Sequence, residues 1–317
     1  MAYISGDLIL DDHYNTFVTG STDGTGNVSI PNINSIWGVG NANVGYGQLT
    51  TLSNVTTGTS VTSTQWSTLI SRLNSILTHQ LGSGSGITAP VTGDVITYLS
   101  TLENRLASAR GNVELFATQG NTTVGTANVW LFSAGATTAV SNVFIDTNVV
   151  FSDAQAARYF FNAGGQLNFV VSATSGNAQT RSTNLRDLIN NAGGVLTFGQ
   201  KTNGGRAGTG GTLVGNVTTV GYRTTTFNTP SLIVDVDSAG TYSTQDVKIF
   251  AFAGNSDTSR GANGGTIVFR TQLFSPADDA FGGDINLTVT SRVDVINPET
   301  TNLTNIWGTP SITWDNV

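Results

Sequence analysis

The stretch Trp66–Leu77 reads WSTLISRLNSIL, and it carries the clearest helical pattern in the chain. Its apolar residues recur at intervals of three and four positions, which is typical of a helix that buries one face. These residues are Trp66, Leu69, Ile70, Leu73, Ile76 and Leu77. Ser63 or Thr64 is suited to cap the start of the helix. Because residues 82–86 are only Gly and Ser, we expect the helix to end there.

A second stripe with the same spacing follows this linker. It consists of Val95, Leu99, Leu102, Leu106 and Ala109. Asp94 is suited to cap the start of this helix, and Gly111 to end it. Two amphipathic helices joined by a short flexible connection most simply form an antiparallel hairpin. Upstream, the sequence predicts two shorter helices, Asp11–Val18 and Pro31–Trp37, the second with its proline near the first turn.

After Gly111 the apolar spacing changes towards two, which is typical of strands. The predicted strands include Asn112–Thr118, Asn128–Ser133, Val143–Phe151, Ser231–Val236, Asp246–Phe252, Thr266–Leu273 and Asp284–Val289. Turn-forming Gly, Asn, Asp and Ser separate them. We therefore expect an α+β protein. Residues 1–110 would form a mainly helical assembly region with an N-terminal helical hairpin, and residues 111–317 a mainly antiparallel, β-sandwich-like domain with short helices.

Two pairs of similar segments occur in the chain. NAGGQLNF at Asn162–Phe169 recurs as NAGGVLTF at Asn191–Phe198, and each copy follows a predicted helix, Asp153–Phe161 or Asn184–Ile189. This pattern predicts a duplicated unit in which a glycine with positive φ ends a helix and the chain turns directly into a strand.

The second pair brackets nearly the whole chain. NINSIWG at Asn32–Gly38 resembles NLTNIWG at Asn302–Gly308. The two segments either share a structural role or reflect only the Asn-rich composition.

Composition excludes several classes of partner. Only 10 % of the residues are charged and the net charge is −7. Phosphate neutralisation needs clustered basic side chains, whereas the basic residues here are scattered. We therefore expect no nucleic-acid partner and no anionic membrane surface. The longest apolar run, Ile249–Ala253, is far too short to span a bilayer.

The sequence also argues against cofactors and redox chemistry. The chain has no cysteine, which excludes disulfides, thiolate metal sites and cysteine nucleophiles. GVGNANVGYG at Gly38–Gly47 has neither the glycine spacing of a dinucleotide loop nor the lysine of a nucleoside-triphosphate loop. Residues 1–7 lack the basic and apolar regions of a secretory signal. We expect no cofactor, and folding in the cytosol.

The two histidines are weak candidates for catalysis. They are too few for a zinc site without cysteine. His79 falls at the end of the first strong helix, where it can interact with the last carbonyls and the negative end of the helix dipole. His13, next to Asp11 and Asp12, would need a nearby serine, and no GxSxG motif presents one. We therefore expect that the protein is not an enzyme, with no catalytic residue.

Carboxylates are the remaining candidates for metal binding or acid–base chemistry. Asp235 and Asp237 alternate on one face of a predicted strand, and Asp278, Asp279 and Asp284 surround a Gly-Gly turn. Either group is suited to hold a hard cation or to act on a glycan. Hydrogen bonds to neighbouring backbone amides in turns explain the same residues more simply. We expect no metal site, and whether either group binds a cation stays open.

Two tryptophans lie near an otherwise polar carboxyl terminus. Trp307 and Trp314 either dock on their own domain or contact a neighbouring subunit. They are our candidates for subunit contacts.

Several segments together resemble a known family. They are Trp37, GYGQ at Gly45–Gln48, VTSTQW at Val61–Trp66, His79–Gln80 and RYFFNAGGQLNF at Arg158–Phe169. The chain resembles a module of virion structural proteins from contractile-tailed phages, notably those that infect cyanobacteria. The resemblance covers roughly half of the chain. It implies a particle component of the tail, baseplate or fibre, and it implies no catalytic residue.

The composition agrees with an assembly role. Low charge reduces the desolvation penalty when polar surface is buried against copies of itself. We therefore expect a homo-oligomer of three or six copies, with cyclic symmetry, that also contacts other virion proteins in a particle assembled in the host cytoplasm. The alternatives are a capsid or neck decoration protein and a carbohydrate-binding adhesin of the virion. A depolymerase would need two carboxylates that face a groove.

Overall fold

A computed structural model describes residues 11–20, 32–38, 45–200, 205–206, 221–222, 229–238, 243–253, 264–277 and 283–316. These residues form helices and two antiparallel sheets, which confirms the predicted α+β class. They fall into two compact units. The first holds the described residues within 1–120, 162–164 and 298–306, and the second holds those within 121–161, 165–297 and 307–317. Two short segments from the second half of the chain, 162–164 and 298–306, therefore belong to the helical unit.

The first unit contains four helices. They are α1 (Asp11–Thr19), α2 (Asn34–Trp37), α3 (Ser63–Leu81) and α4 (Leu99–Gly111). Helices α3 and α4 pack against each other, as the predicted hairpin requires. Trp66 of α3 is fully buried at the centre of the unit, with the rings of Tyr14 and Phe17 edge-on to its indole at centroid distances of 5.6 and 6.2 Å. None of the described helices combines the length and apolarity of a membrane span.

The predicted helix caps were wrong at both helices of the hairpin. Thr62 caps α3, because its extended backbone lets the hydroxyl accept from the Gln65 N–H, while the Gln65 side chain accepts from the Thr62 N–H. Helix α4 begins at Leu99 rather than after Asp94. The Asp94 carboxylate accepts a hydrogen bond from the Val91 N–H instead and closes a turn before the helix. Val95, predicted on the buried stripe, is therefore exposed.

The upstream helices agree with the predicted ones in place. Pro31 lies outside the described residues, and α2 is a single turn that begins at Asn34. The Asn32 side chain accepts a hydrogen bond from the Ser35 N–H at 2.7 Å and thereby starts this turn.

The first sheet of the second unit has the order β1-β10-β4-β5-β6, and β2 pairs with β10 beside that path. Its strands are β1 (Gln119–Thr123), β2 (Asn128–Ala134), β4 (Gln166–Ser175), β5 (Gly194–Phe198), β6 (Gly205–Arg206) and β10 (Ile285–Pro298). The predicted strand Asn112–Thr118 was wrong. Residues 112–114 form a turn directly after α4, closed by the Leu115 N–H to the Asn112 carbonyl, and the strand begins at Gln119.

The second sheet has the order β11-β3-β9-β8-β7. Its strands are β3 (Val140–Val150), β7 (Ser231–Asp237), β8 (Asp246–Ala253), β9 (Thr266–Ser275) and β11 (Ser311–Asn316). The inner faces of the two sheets are in contact. The ring of Phe169 on β4 stacks on Phe269 of β9 at 5.0 Å, and Thr147 on β3 hydrogen-bonds Ser291 on β10 at 3.1 Å. This is the expected sandwich-like arrangement.

The repeated NAGG segments lie where helices α5 (Ala154–Asn162) and α6 (Thr180–Ala192) turn into β4 and β5. The glycine with positive φ is Gly164 in the first copy but Gly194 in the second. The two strands then pair with each other so that Leu167 opposes Phe198 and Phe169 opposes Leu196. The strands of the two repeat copies, β4 and β5, are therefore antiparallel neighbours related by a local two-fold axis.

The two IWG segments do not form the same element. Residues 32–38 contain helix α2, whereas residues 302–308 contain neither helix nor strand. Both segments nevertheless bury their tryptophan, Trp37 and Trp307.

Candidate functional site

His79 is enclosed in the first unit and pairs with a carboxylate. Its ring is 1 % exposed, and Nδ1 lies 2.8 Å from Oε1 of Glu299. Burial lowers the pKa of His79, and the Glu299 contact only partly offsets this. The neutral ring therefore donates its Nδ1–H to Glu299. The expectation that His79 meets the last carbonyls of its helix was wrong, because a carboxylate 220 residues away takes that place.

Glu299 is held as an anion by this contact and two backbone N–H groups. Burial acts to raise its pKa, but hydrogen bonds from Asn302, His79 and Thr301 hold the pKa of Glu299 below its ordinary value. An enclosed, neutral histidine bonded to such a carboxylate stabilises the fold. It is out of reach of a substrate. His13 lies in α1 beside Asp12.

Two of the segments on which the sequence resemblance rests, Gly45–Gln48 and His79–Gln80, lie around this pair. The Tyr46 ring lies edge-on to His79 at 5.1 Å, and the Gln80 amide donates to the Tyr46 hydroxyl at 2.8 Å. The Gln48 side chain donates to the Thr304 carbonyl and accepts from the Thr304 N–H, at 3.0 and 2.8 Å. GYGQ and HQ thus form a polar network that holds segment 298–306 in the first unit.

The aspartates predicted on one face of a strand do share a face. Asp235 and Asp237 lie on β7, the last strand of the second sheet, and Asp246 lies on the neighbouring strand β8. Oxygens of these three carboxylates lie within 4.8 Å of one another. The Lys248 ammonium contacts Asp246 and lies 3.5 Å from Asp235. A side chain of the protein therefore occupies the position between the carboxylates that a cation would take.

One carboxyl group of the cluster, that of Asp235, has a raised pKa. Burial and the neighbouring Asp246 raise the pKa of Asp235 to about 6, although Lys248 acts in the opposite direction. Like charges at this distance disfavour the doubly ionised state. Asp235, Asp246 and Lys248 therefore form a network of adjacent charged groups on one face of the sheet rather than two carboxylates opposed across a groove.

The second predicted acidic group is only partly described. Asp278 and Asp279 lie outside the described residues. Asp284 accepts a hydrogen bond at 2.9 Å from the Ala136 N–H, which is 148 residues away, and not from a neighbouring amide of its own turn as expected from the sequence.

The outer face of the second sheet carries half-exposed phenylalanines that sequence reasoning missed. Arg270 on β9 donates two hydrogen bonds, of 2.8 and 2.6 Å, to Asp146 on β3. Its guanidinium carbon lies 4.6 Å from the centroid of the Phe144 ring and 5.1 Å from that of Phe252. In KIFAFA, Lys248, Phe250 and Phe252 alternate with apolar residues that are buried, and this alternation could have shown that large side chains lie on the outer face as well.

The two candidate tryptophans lie in different environments. Trp307 is 2 % exposed and is thus enclosed within its own chain, which leaves it no surface for a neighbouring subunit. This outcome is the docking within one chain that the sequence left open. Trp314 lies on β11, at the edge of the second sheet, and is half-exposed.

One edge of the first sheet is apolar and exposed. Strand β2 has the sequence NVWLFSA, and Val129 and Leu131 on it are 54 % and 83 % exposed. Val124, in the preceding connection, is also exposed. The four consecutive apolar residues were visible in the sequence, but only the strand order shows that they lie at an edge.

The cleft beside the start of α3 does not support acid–base chemistry. It has a volume of about 330 Å³, and the one ionisable side chain in its lining is Asp94. That carboxylate already accepts a hydrogen bond from the Val91 N–H.

No protein family, curated protein or solved structure matches the chain.

Proposed function

We propose that this chain is a structural component of a contractile-tailed phage particle, in the tail, baseplate or fibre, and that it acts through contacts with its own copies and with other virion proteins. The observation that carries the proposal is the exposed, uncharged strand β2 at the edge of the first sheet. Unpaired strand edges with apolar side chains recruit further strands unless they are covered.

Several charged side chains among the described residues are engaged in internal ion pairs, which supports a non-catalytic role. Glu299 binds His79, Asp146 binds Arg270, and Lys248 lies between two aspartates. A nucleophile or general base must instead be free to reach a substrate.

The segments that resemble phage structural proteins support the same role. Two of them, Gly45–Gln48 and His79–Gln80, build the polar network around Tyr46 and His79 in the first unit. The sequence elements shared with that family thus serve folding, and the proposal does not depend on any reactive residue.

Light scattering coupled to size-exclusion chromatography tests the assembly part of the proposal. We expect three or six copies per particle in solution at high protein concentration. A monomer at all concentrations would contradict the proposal.

Antibody labelling tests the position in the particle. Gold-labelled antibody against the chain, applied to purified contractile-tailed cyanophage particles, is expected on the tail, baseplate or fibres. Label confined to the neck or capsid surface supports the decoration-protein alternative, and particles that lack the chain contradict a virion role.

The outer face of the second sheet favours a carbohydrate-binding adhesin as a second candidate. Phe144 and Phe252 flank Arg270, and Asp146 lies beside them. Half-exposed aromatic rings beside polar groups are suited to stack on sugar rings. Glycan-array binding that is lost in Phe144→Ala but kept in Thr313→Ala, on the same face, would support this candidate. An array without a signal would remove it.

A further inference from the structure

The outer edge of β2 has no strand beside it among the described residues. Residues 287–291 of β10 pair with β2 on one side and with β4 on the other, so β2 is the outermost strand there. Its outward N–H and C=O groups are then available to another strand. An edge of this kind selects an extended strand as its occupant, since only a strand satisfies a row of backbone groups.

The charges of the sheet edges indicate which strand can pair with itself. Strand β7 carries Asp235 and Asp237, and β11 carries Asp315. Two copies joined through either of these edges would bring aspartates together, which is destabilising. In the first sheet, the edge strand β1 (QGNTT) is uncharged but has no apolar side chain, whereas β2 carries no charge and exposes Val129 and Leu131. A second copy of this chain is therefore compatible with β2.

We propose that β2 pairs antiparallel with β2 of a second copy about a two-fold axis at Leu131. The inference rests on the assembly role proposed above and identifies its contact. A two-fold axis perpendicular to the sheet keeps each side chain on its own face, so one residue must oppose itself. Leu131 is the midpoint of Asn128–Ala134, and centring there pairs the whole strand.

This register matches the side chains as well as the backbone. Leu131 opposes Leu131 of the other copy, Trp130 opposes Phe132, and Val129 opposes Ser133. Aromatic and aliphatic cross-strand pairs of this kind stabilise antiparallel sheets. Because a two-fold contact joins copies in pairs, it selects six copies over three, and it requires dihedral symmetry in place of the cyclic symmetry expected from the sequence.

A cysteine introduced at the axis tests the register directly, since the natural chain has none. Opposed residues of an antiparallel pair lie about 4.5–5.5 Å apart between Cα atoms, which is within the range of a disulfide. Under oxidised glutathione, Leu131→Cys is expected to give a covalent dimer in most of the protein. Val129→Cys is not, because the two copies of that residue lie about 14 Å apart. The double variant Val129→Cys with Ser133→Cys is expected to cross-link again.

Leu49→Cys is the matched control, because Leu49 is 85 % exposed and lies in the other unit. Equal cross-linking of Leu49→Cys and Leu131→Cys would overturn the proposed register. So would an oligomeric protein in which Leu131→Cys fails to cross-link.

A charge at the axis tests the contact without covalent chemistry. Leu131→Lys places two ammonium groups opposite each other and is expected to raise the dissociation constant of the pairing about tenfold or more, so that six copies become three. Leu49→Lys is expected to leave the copy number unchanged. If Leu131→Lys and Leu49→Lys both keep the copy number of the natural chain, the β2 contact is wrong and the assembly role stands. If the natural chain itself is a monomer, the β2 contact and the assembly role are both wrong.

Discussion

Arg181 shows at the scale of one residue how tertiary structure changes the role of a charged side chain. It lies in the first turn of α6 and is fully buried. Its guanidinium donates to the Ser275 hydroxyl at 3.0 Å and to the carbonyls of Gly135 and Thr138 at 3.1 and 2.8 Å. The group therefore satisfies backbone acceptors of the β2–β3 turn and of the end of β9 together.

Arg181→Met removes these donors and leaves several buried carbonyls without partners. We expect a loss of about 3–5 kcal/mol in the free energy of unfolding, because the acceptors keep their desolvation cost. Urea denaturation followed by circular dichroism measures it. Arg186→Met is the control, since Arg186 is partly exposed and, among the described residues, pairs with its sequence neighbour Asp187, and it should change stability by less than about 0.5 kcal/mol. Equal effects of the two variants would refute a structural role for Arg181.

Asp235 makes stability depend on pH. Its pKa in the folded protein, about 6, lies above the ordinary value of 3.8, so the native state binds more protons than the unfolded state between these values. Stability therefore falls as pH rises through that window. We expect Asp235→Asn to flatten the fall in Tm from about pH 4 to about pH 7, because an amide does not titrate. Differential scanning calorimetry tests this, with Asp187→Asn as control, and an unchanged slope in Asp235→Asn contradicts it.

At the scale of the element, the repeated helix–strand units contain a close approach between two backbone segments. In the second copy the chain passes from α6 into β5 at Gly193, where a Cβ would lie 2.2 Å from the Val171 carbonyl oxygen. At the centre of the paired strands, the Thr197 hydroxyl donates to the Asn168 side chain at 2.7 Å, and these are the residues that oppose each other at the local two-fold axis. The two units thus close on each other through their strands.

Gly193→Ala should separate α6 from β4. Because the added methyl group meets rigid backbone rather than a flexible side chain, we expect a loss of about 2 kcal/mol or more in the free energy of unfolding. Gly111→Ala, at the end of α4, meets no atom within 4 Å and should be neutral or slightly stabilising. Thermal unfolding of the two variants compares them, and a neutral Gly193→Ala would show that the strand can shift.

At the scale of the whole molecule, charged residues are sparse. Charged residues make up 10 % of the chain, and the described ion pairs join residues of the same unit. The surface offered to other copies therefore depends on neutral polar and apolar groups. The binding free energy of such contacts gains little from long-range electrostatic attraction, and screening by salt weakens it little.

The oligomer should accordingly be insensitive to salt. We expect the mass measured by light scattering to stay constant from about 0.05 M to about 1 M sodium chloride, because screening acts on charges and the proposed contact has none. Bovine serum albumin in the same buffers serves as the column control. Dissociation at high salt would show that an ionic interface holds the copies together.

Local pattern predicted the helices and strands but not the site. Helix α3, strand β8 and the helix–strand turn at Gly164 agree with the sequence, since each depends on residues a few positions apart. The sequence did not predict the first residue of α4 correctly, and it predicted a false strand at 112–118. In both places a turn competes with the apolar pattern, one at Asp94 and one after Gly111. The pairing of Asp235 with Lys248 needed the register of two strands.

By itself, the sequence determined the buried face of helix α3, the low charge and the absence of thiol chemistry, because composition and short-range periodicity suffice for these. Only the tertiary structure decided that His79 meets Glu299, that Arg181 is enclosed and that β2 lies at a sheet edge. These features depend on strand order and on contacts between residues far apart in the chain. The spacing of side chains along one element carries no information about which distant element will lie beside it.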